Sequence, residues 1–338
     1  MSDRPVAPPA FTTHLPALPP GWQSVAHAIL VDGTLAILAT DADLAGEHRR
    51  LSAALRASTA PDPPIRLNEI AAAGTARIWT MAGTRWTEGP DFPLETPFPC
   101  LDRFSDGRWL VVASRSRGEP DARVLSCDGV LLDRFTLGDG IEHVAIDAAD
   151  RIWVGWFDEG MFNPNWREDL GWPPASNGIA CFAADGALLS LPIWPAEAGV
   201  IVDCYALNAM GSGAWTCPYT DFPLVHFRPG ERARWWRNQL AFPHAIAIDG
   251  NHALVAGGYN EEANRLALIA LEGAGDGEEA RLLATWHLPL RRLPTPASEW
   301  APVWHSPTLL AGRGDMLHLV NDGIWSGWRV ADVLAASH

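Results

Sequence analysis

Four histidines stand at matching places in this chain, each near the start of a short apolar run: Ala26-His27, Glu142-His143, Pro243-His244 and Trp304-His305. Two further runs of the same kind start with Pro99-Cys100 and Asp203-Cys204. The run that follows each of these ends in side chains that are nearly all ionisable. They are Asp41, Arg115 and Arg117, Asp158-Glu159, Tyr219 and Asp221, Tyr259 with Glu261, and Asn321-Asp322. Imidazole is the commonest metal ligand and a general base near neutral pH. Carboxylates grouped with imidazoles push pKa values apart, which lets one site keep an acid beside a base. The pattern predicts that His27, His143, His244 and His305 hold a divalent metal or share a proton-transfer task. Glu142, Asp158 and Asp203 are expected behind them as general base or as orienting carboxylates. Arg115, Tyr219, Asp221, Tyr259 and Trp304 are candidate substrate-binding residues, with Arg115 and Arg117 suited to clamping a carboxylate. Taken singly, each His reads as a packed strand residue; only their repetition points to function.

Residues so far apart must be gathered by a repeating scaffold. Gly140–Gly160 shows its unit: two β-branched or aromatic runs joined by the turn Asp147-Ala148-Ala149-Asp150, the pattern of a hairpin. It recurs as Val25–Val31 with Thr34–Thr40, Cys100–Phe104 with Trp109–Ala113, Val202–Leu207 with Ala214–Cys217, His244–Ile248 with Ala253–Ala256, and Trp304–Leu310 with Met316–Val320. Further strands follow each pair, and in the first unit these are placed at Ile65–Ala71 and Arg77–Met81. Repetition of four-strand units with Asp/Gly turns predicts an all-β, six-bladed β-propeller over residues 1–338 as a single domain. Trp109, Trp153 and Trp215 fall at matching places on second strands and should pack blade against blade. The last unit has three strands, around Ile324–Val330 at its end, so a strand from the Pro-rich residues 1–22, near Ala10–Leu18, should close it. Residues 43–57 change to helical periodicity, with Leu44, His48, Leu51 and Leu55 on one face, and predict a short helix inserted in the first blade. In such a ring the first strands begin, and the second strands end, on one face. That face should carry the His positions, the helix 43–57 and the insertion 157–177, with Trp166 and Trp172 as a partial roof.

Ala149-Asp150-Arg151-Ile152-Trp153-Val154-Gly155 resembles the repeat of the two-component-regulator, streptogramin-lyase-like and NHL-type propellers. The resemblance covers the second to fifth units in outline and implies the same fold; those families include enzymes, sensors and scaffolds. The gluconolactonase-like propellers are similar in architecture and imply an acidic calcium ligand early in the first blade, where this chain has His27.

Composition narrows the chemistry. The formal charge is −15, which argues against nucleic-acid or anionic-membrane partners. All 25 basic residues are Arg, so no lysine can form a Schiff base, hold PLP or serve a P-loop, and no nucleotide loop is found. Five scattered Cys without a C-x-x-C spacing, and an N-terminus without a signal-like apolar run, suggest a reduced, cytoplasmic setting. Arg313-Gly314-Asp315 reads as the turn of the sixth unit. Two function classes stand open: a small-molecule enzyme at the channel face, a metal-assisted or acid–base hydrolase or lyase, and a non-catalytic propeller recognising a protein partner there.

Overall fold

Four of the hairpin turns share one device. A turn aspartate accepts the backbone N–H two residues on: Asp32 from Thr34, Asp106 from Arg108, Asp147 from Ala149 and Asp185 from Ala187, at 2.9–3.0 Å. This Asx geometry reverses the chain without help from tertiary structure. In the third unit Asp147 also accepts from Arg151 and from the Trp153 indole (2.9 Å), while Asp150, with φ at 56°, accepts from Ser105 of the preceding unit. The motif is therefore a turn that locks its own tryptophan and the neighbouring turn.

The computed structural model describes residues 4–56, 63–116, 120–162, 174–211, 213–289 and 308–337, excepting the side chains of 52, 54–56 and 63–66. The fold is all-β and propeller-like. Strand β1 (Phe11–His14) is followed by a first sheet, β2 (Gln23–Ile29), β3 (Leu35–Thr40), β4 (Thr75–Ala82) and β5 (Arg85–Pro93). A second sheet holds β6 (Pro99–Arg103), β7 (Trp109–Ala113), β8 (Ala122–Leu125) and β9 (Leu131–Phe135). A third holds β10 (Ile141–Ile146), β11 (Ile152–Trp156), β12 (Ile179–Phe182) and β13 (Leu188–Ser190). Next come β14 (Asp203–Met210), β15 (Gly213–Tyr219), β16 (Leu224–Phe227) and β17 (Arg234–Arg237), then β18 (Ala245–Asp249), β19 (His252–Ala256), β20 (Arg265–Leu271) and β21 (Asp276–His287). These eight form one sheet in which β17 and β21 pair in parallel. The last sheet is β22 (Leu309–Arg313), β23 (Met316–Asn321) and β24 (Ile324–Arg329), with β1 antiparallel on its outer edge. The N-terminal strand thus closes the last sheet, as expected. The innermost strands form a ring: β2 touches β6, and contact passes through β10, β14, β18 and β22 back to β2.

The core lies between sheets. Trp109, Trp153 and Trp215 are all buried, in keeping with their expected packing role. Few helices interrupt the strands. Helix α1 (Leu44–Arg56) leaves β3 where Thr40 pairs with Gln23 at the start of β2, so it rises from the expected face. Helix α2 (Pro63–Ala73) corrects the strand expected over Ile65–Ala71. Pro63-Pro64 suits a helix start, and Leu67, Ile70 and Ala71 bury a 3–4-residue stripe instead of a continuous run. The true fourth strand is β5, whose sequence RWTEGPDFP hides on an exposed edge, where Pro is tolerated. Helices α3 (Asp158–Met161) and α4 (Val330–Ala336) complete the described set; α4 ends the strand expected to reach Val330. None of the described helices is long and apolar enough to cross a membrane. Trp166 and Trp172 lie outside the described residues.

The floor of the ring is tied by polar side chains. Arg313 belongs to β22, not to a solvent-facing turn, and its buried guanidinium donates to the buried Asp102 of β6 (3.2 Å) and to the Ile146 carbonyl of β10. Asp102 also accepts the amides of Arg103 and Ile146, each at 2.7 Å. The buried Asn208 of β14 donates to the carbonyls of Ile246 (3.0 Å) and Gly314 (2.8 Å) and accepts the Gly314 amide (2.9 Å). Gly312 permits this approach: a Cβ there would lie 1.7 Å from the Ile246 carbonyl oxygen. Arg313→Ala should therefore strand a buried carboxylate and cost about 3–5 kcal/mol, read as a lower urea midpoint. Adding Asp102→Asn should return part of it, because it removes the unpaired buried charge while its single amide oxygen still accepts one of the two backbone N–H groups.

Candidate functional site

The opposite end of the same strands is built differently. Asp203 pairs with Tyr219, Ile141 with Trp156, and the His244 amide bonds the Ala256 carbonyl (2.8 Å). First-strand openings and second-strand exits therefore do share one face. Three innermost strands also slip register at this level, between Ser24 and Ala26, between Ile141 and His143, and between Cys204 and Leu207. Such bulges re-aim side chains at the rims of closed sheets. Glu142 sits in one bulge, and Tyr205 in another.

Glu142 on β10 and Asp203 on the adjacent β14 form the electrostatic centre. Burial pushes the Glu142 carboxyl up to about 7. Asp203 is also raised to about 7, first by burial and then by the charges of Glu142 and Asp158. Glu142 nevertheless keeps an exposed surface. Both hold for a side chain lining a narrow channel, where water reaches one side while protein crowds the carboxyl. Asp158 opens α3 and is exposed. Among the described residues no cation pairs with Glu142, Asp158 or Asp203. Arg115 is held by Glu159 and Asp139 and lies over the Phe157 ring, so this expected carboxylate clamp is already engaged; Arg117 is outside the described residues.

The thiols and imidazoles nearby are silent near neutral pH. Burial pushes Cys100 and Cys204 up to about 12, with Glu142 adding to both, so both stay protonated and are poor nucleophiles. Burial holds His143 and His244 down at about 4. His143 has backbone hydrogen bonding at Cys204 and Tyr205, but its enclosed Nε2 has no partner. His244 is exposed, the charges of His143 and Arg265 add to its lowering, and its ring centroid is 5.7 Å from that of Tyr205.

Beside the acids lies an aromatic cluster that contains all three tyrosines of the chain. Tyr205 shares a hydroxyl–hydroxyl hydrogen bond with Tyr259 (3.0 Å) and packs on Tyr219, Phe222 and Phe242, with centroids 5.3–6.4 Å away. Phe242 lies against Phe222 (4.6 Å) and Tyr259 (3.9 Å). Both phenylalanines have left-handed backbones, φ 53° and 56°, unfavourable for bulky residues and tolerated where surroundings impose it. Tyr219 and Tyr259 keep 38 % and 51 % of their surface open. Tyr219 and Tyr259 were legible from the sequence; Tyr205, Phe222 and Phe242 were not. The repeated Phe-Pro of Phe222-Pro223 and Phe242-Pro243 was the available signal. Asp221 is exposed at the rim beside Tyr219.

Three of the four histidines expected to hold a metal, His27, His143 and His244, are described, and these three do not form a metal-binding group. Among the described residues no three His, Cys, Asp or Glu side chains meet in a group able to hold a metal ion. The reason is depth. His27 is followed by two ladder pairs before its turn, His143 by three, and His244 precedes five, so the imidazoles sit at different levels of the channel. His27, pushed down to about 4 by burial, lies deeper than the mouth. His305 and Trp304 fall outside the described residues. A cavity of about 630 Å³ opens at the other face, lined in part by Phe11, Val31, Met316 and Trp325. Its acids are already paired, Asp32 with Arg103 and Asp315 with Arg329, so it lacks the convergent free acids of the mouth.

No protein-family model matches the chain, and no curated protein matches its sequence. Among solved structures it is similar to the Kluyveromyces lactis Hsv2 protein (8% identity, 89% of this chain and 71% of that one, TM-score 0.48). It is also similar to a virginiamycin B lyase from Staphylococcus aureus (12% identity, 94% and 98% covered, TM-score 0.44). A third is a gluconolactonase from Xanthomonas campestris (10% identity, 97% and 99% covered, TM-score 0.45).

These titrations set opposite pH limits on stability. His27, His143, His226, His244 and His318 are all held near 4 by burial, whereas an unfolded chain protonates histidine near 6.5. Their contribution is full above about 6.5 and is lost as pH falls toward 4. Glu142 and Asp203 keep protons up to about 7 that the unfolded chain releases near 4. Their contribution is full below about 4 and is lost as pH rises through 7. Urea midpoints measured from pH 4.5 to 8 should pass through a maximum, and Glu142→Gln should flatten the decline on the alkaline side. A Glu142→Gln profile superimposable on wild type would refute the assignment.

Proposed function

We propose that this chain is a six-bladed β-propeller enzyme that transfers protons on a small molecule at the channel mouth, in a hydrolysis or elimination. The six-blade reading is supported by the eight-stranded sheet, which consists of two four-strand meanders meeting edge to edge at β17 and β21. The observation that carries the chemistry is the pair Glu142–Asp203, two desolvated carboxyls on neighbouring innermost strands, each raised to about 7. Two carboxyls that titrate near neutrality can divide the work, one accepting a proton from the substrate or from water while the other donates to the leaving group. Tyr219 and Tyr259 would hold the ligand, and the neutral His143 Nε2 would accept a hydrogen bond from it. Among the described residues no group of donors able to hold a metal comes together.

A second reading, recognition of a protein partner on this face, draws on its exposed apolar side chains Phe162 and Val200. The two separate in one experiment. Purified protein is followed by proton release and by NMR against a panel of esters, lactones and β-elimination substrates. Glu142→Gln and Asp203→Asn should each lower kcat of any turned-over substrate by about 100-fold or more while the melting temperature holds. Turnover that survives both changes would sink the acid–base assignment, and no turnover across the panel would favour the partner-binding reading.

A further inference from the structure

We propose that the channel mouth selects a small protonated alkylamine, its ammonium on Glu142 and Asp203 and its carbon skeleton against Tyr205, Tyr219 and Tyr259. The inference rests on the reading of this mouth as the functional site and names the class of molecule it takes.

Charge supplies the first argument. Glu142, Asp158 and Asp203 come from three elements, and Asp203 feels both of the others. Nearby cations are spent elsewhere: Arg115 on Glu159 and Asp139, and Arg265 on the Ala241 carbonyl and Glu262. Gathering acids without a counter-charge is unfavourable unless they hold protons or meet a cation. An anionic or phosphorylated ligand would add to the repulsion.

The second argument is the aromatic wall. A cation is attracted to the faces of Tyr and Phe rings, and alkyl carbons bury well against them. The Tyr205–Tyr259 hydroxyl bond and the packing of Phe222 and Phe242 fix the wall before any ligand arrives, while Tyr219 and Tyr259 keep open surface.

The third is the enclosed, unpartnered Nε2 of His143. With the ring's other nitrogen donating to backbone carbonyls of Cys204 and Tyr205, Nε2 carries the lone pair and asks for a donor. An ammonium N–H meets that need; a quaternary ammonium or a neutral hydrocarbon does not.

Binding should then be linked to pH. Among the described residues, the titratable groups beside Glu142 and Asp203 are Cys100 on β6, His143 on β10, Cys204 and Tyr205 on β14, Asp158 on α3 and, beyond, His244. Burial holds the thiols protonated and the imidazoles neutral through the neutral range and raises the Tyr205 hydroxyl further still. Ionisation of Glu142 and Asp203 therefore governs, and the ammonium releases protons as it binds.

The test uses full-length protein, calorimetry, and two probes of equal shape, benzylamine and benzyl alcohol. Benzylamine should bind at least tenfold more tightly than benzyl alcohol at pH 8, and its affinity should fall several-fold at pH 6. Glu142→Gln should reduce amine affinity about tenfold and leave the alcohol unchanged. Tyr259→Ala, at a half-exposed position, should weaken both probes without unfolding the protein, as its melting temperature checks. Equal affinities for the two probes, or amine binding indifferent to Glu142→Gln, overturn the proposal. Carboxyl titration by ¹³C NMR separates the two readings. Carboxyls titrating near 7 with no amine selectivity sink the amine alone; amine selectivity with carboxyls titrating in the ordinary range sinks the proton-transfer reading alone.

Discussion

A buried ion pair bridges the second sheet and the last. Arg313 of the last sheet reaches Asp102 of the second and the backbone of the third, so one guanidinium joins sheets that strand pairing never joins. A buried pair adds little net stability over apolar packing, but breaking it leaves a charge without solvent or partner. Its value is thus in specificity: the ring closes in one register or forfeits several kcal/mol. Asn208 repeats the logic on β14, serving β18 and the turn after β22 with one amide. The N-terminal strand adds an outer closure, where Phe11 packs edge-on against Trp325 at 5.0 Å.

Closure at the floor leaves the mouth free to be imperfect. At the floor every carboxylate oxygen of Asp102 has an amide or guanidinium partner. At the mouth, on the other ends of the same strands, Glu142 and Asp203 have no cation and His143 Nε2 no hydrogen-bond partner among the described residues. Three register slips and two left-handed phenylalanines are confined to that end. Unfavourable polar burial and backbone strain persist only where the surrounding structure imposes them. Here the rigid ring does so, and the strain falls where a ligand could relieve it.

This division also explains what could be read in advance. The hairpins were legible because Asp-Gly turns act locally: Asp32, Asp106, Asp147 and Asp185 each need only the amide two residues on. The closing strand was legible because a ring with three strands in its last sheet demands a fourth. The first sheet was misread at 65–71, where helical and strand patterns overlap in a short apolar stretch and only tertiary packing chooses. The three described histidines of the expected ring do not meet, for a subtler reason. Equal spacing from a turn was assumed, but the bulges insert residues unevenly, and His27, His143 and His244 land at different depths. The acids survived this error better than the imidazoles, because a charge acts over several ångströms whereas coordination needs contact.

The pKa pattern then narrows which chemistry the mouth can support. Burial displaces the thiols, the imidazoles and the Glu142 and Asp203 carboxyls of the mouth, but not equally usefully. Thiols near 12 and imidazoles near 4 are both frozen in their neutral forms around pH 7. The same burial carries Glu142 and Asp203 from the ordinary carboxylate range to about 7, where a proton can be taken or given with little driving force in either direction. Desolvation raises acids and lowers bases, so one channel wall silences Cys and His while it brings Glu and Asp into play. His143 and His244 are therefore neutral near pH 7, and on the proposed reading any proton transfer at this mouth falls to the carboxyls beside them.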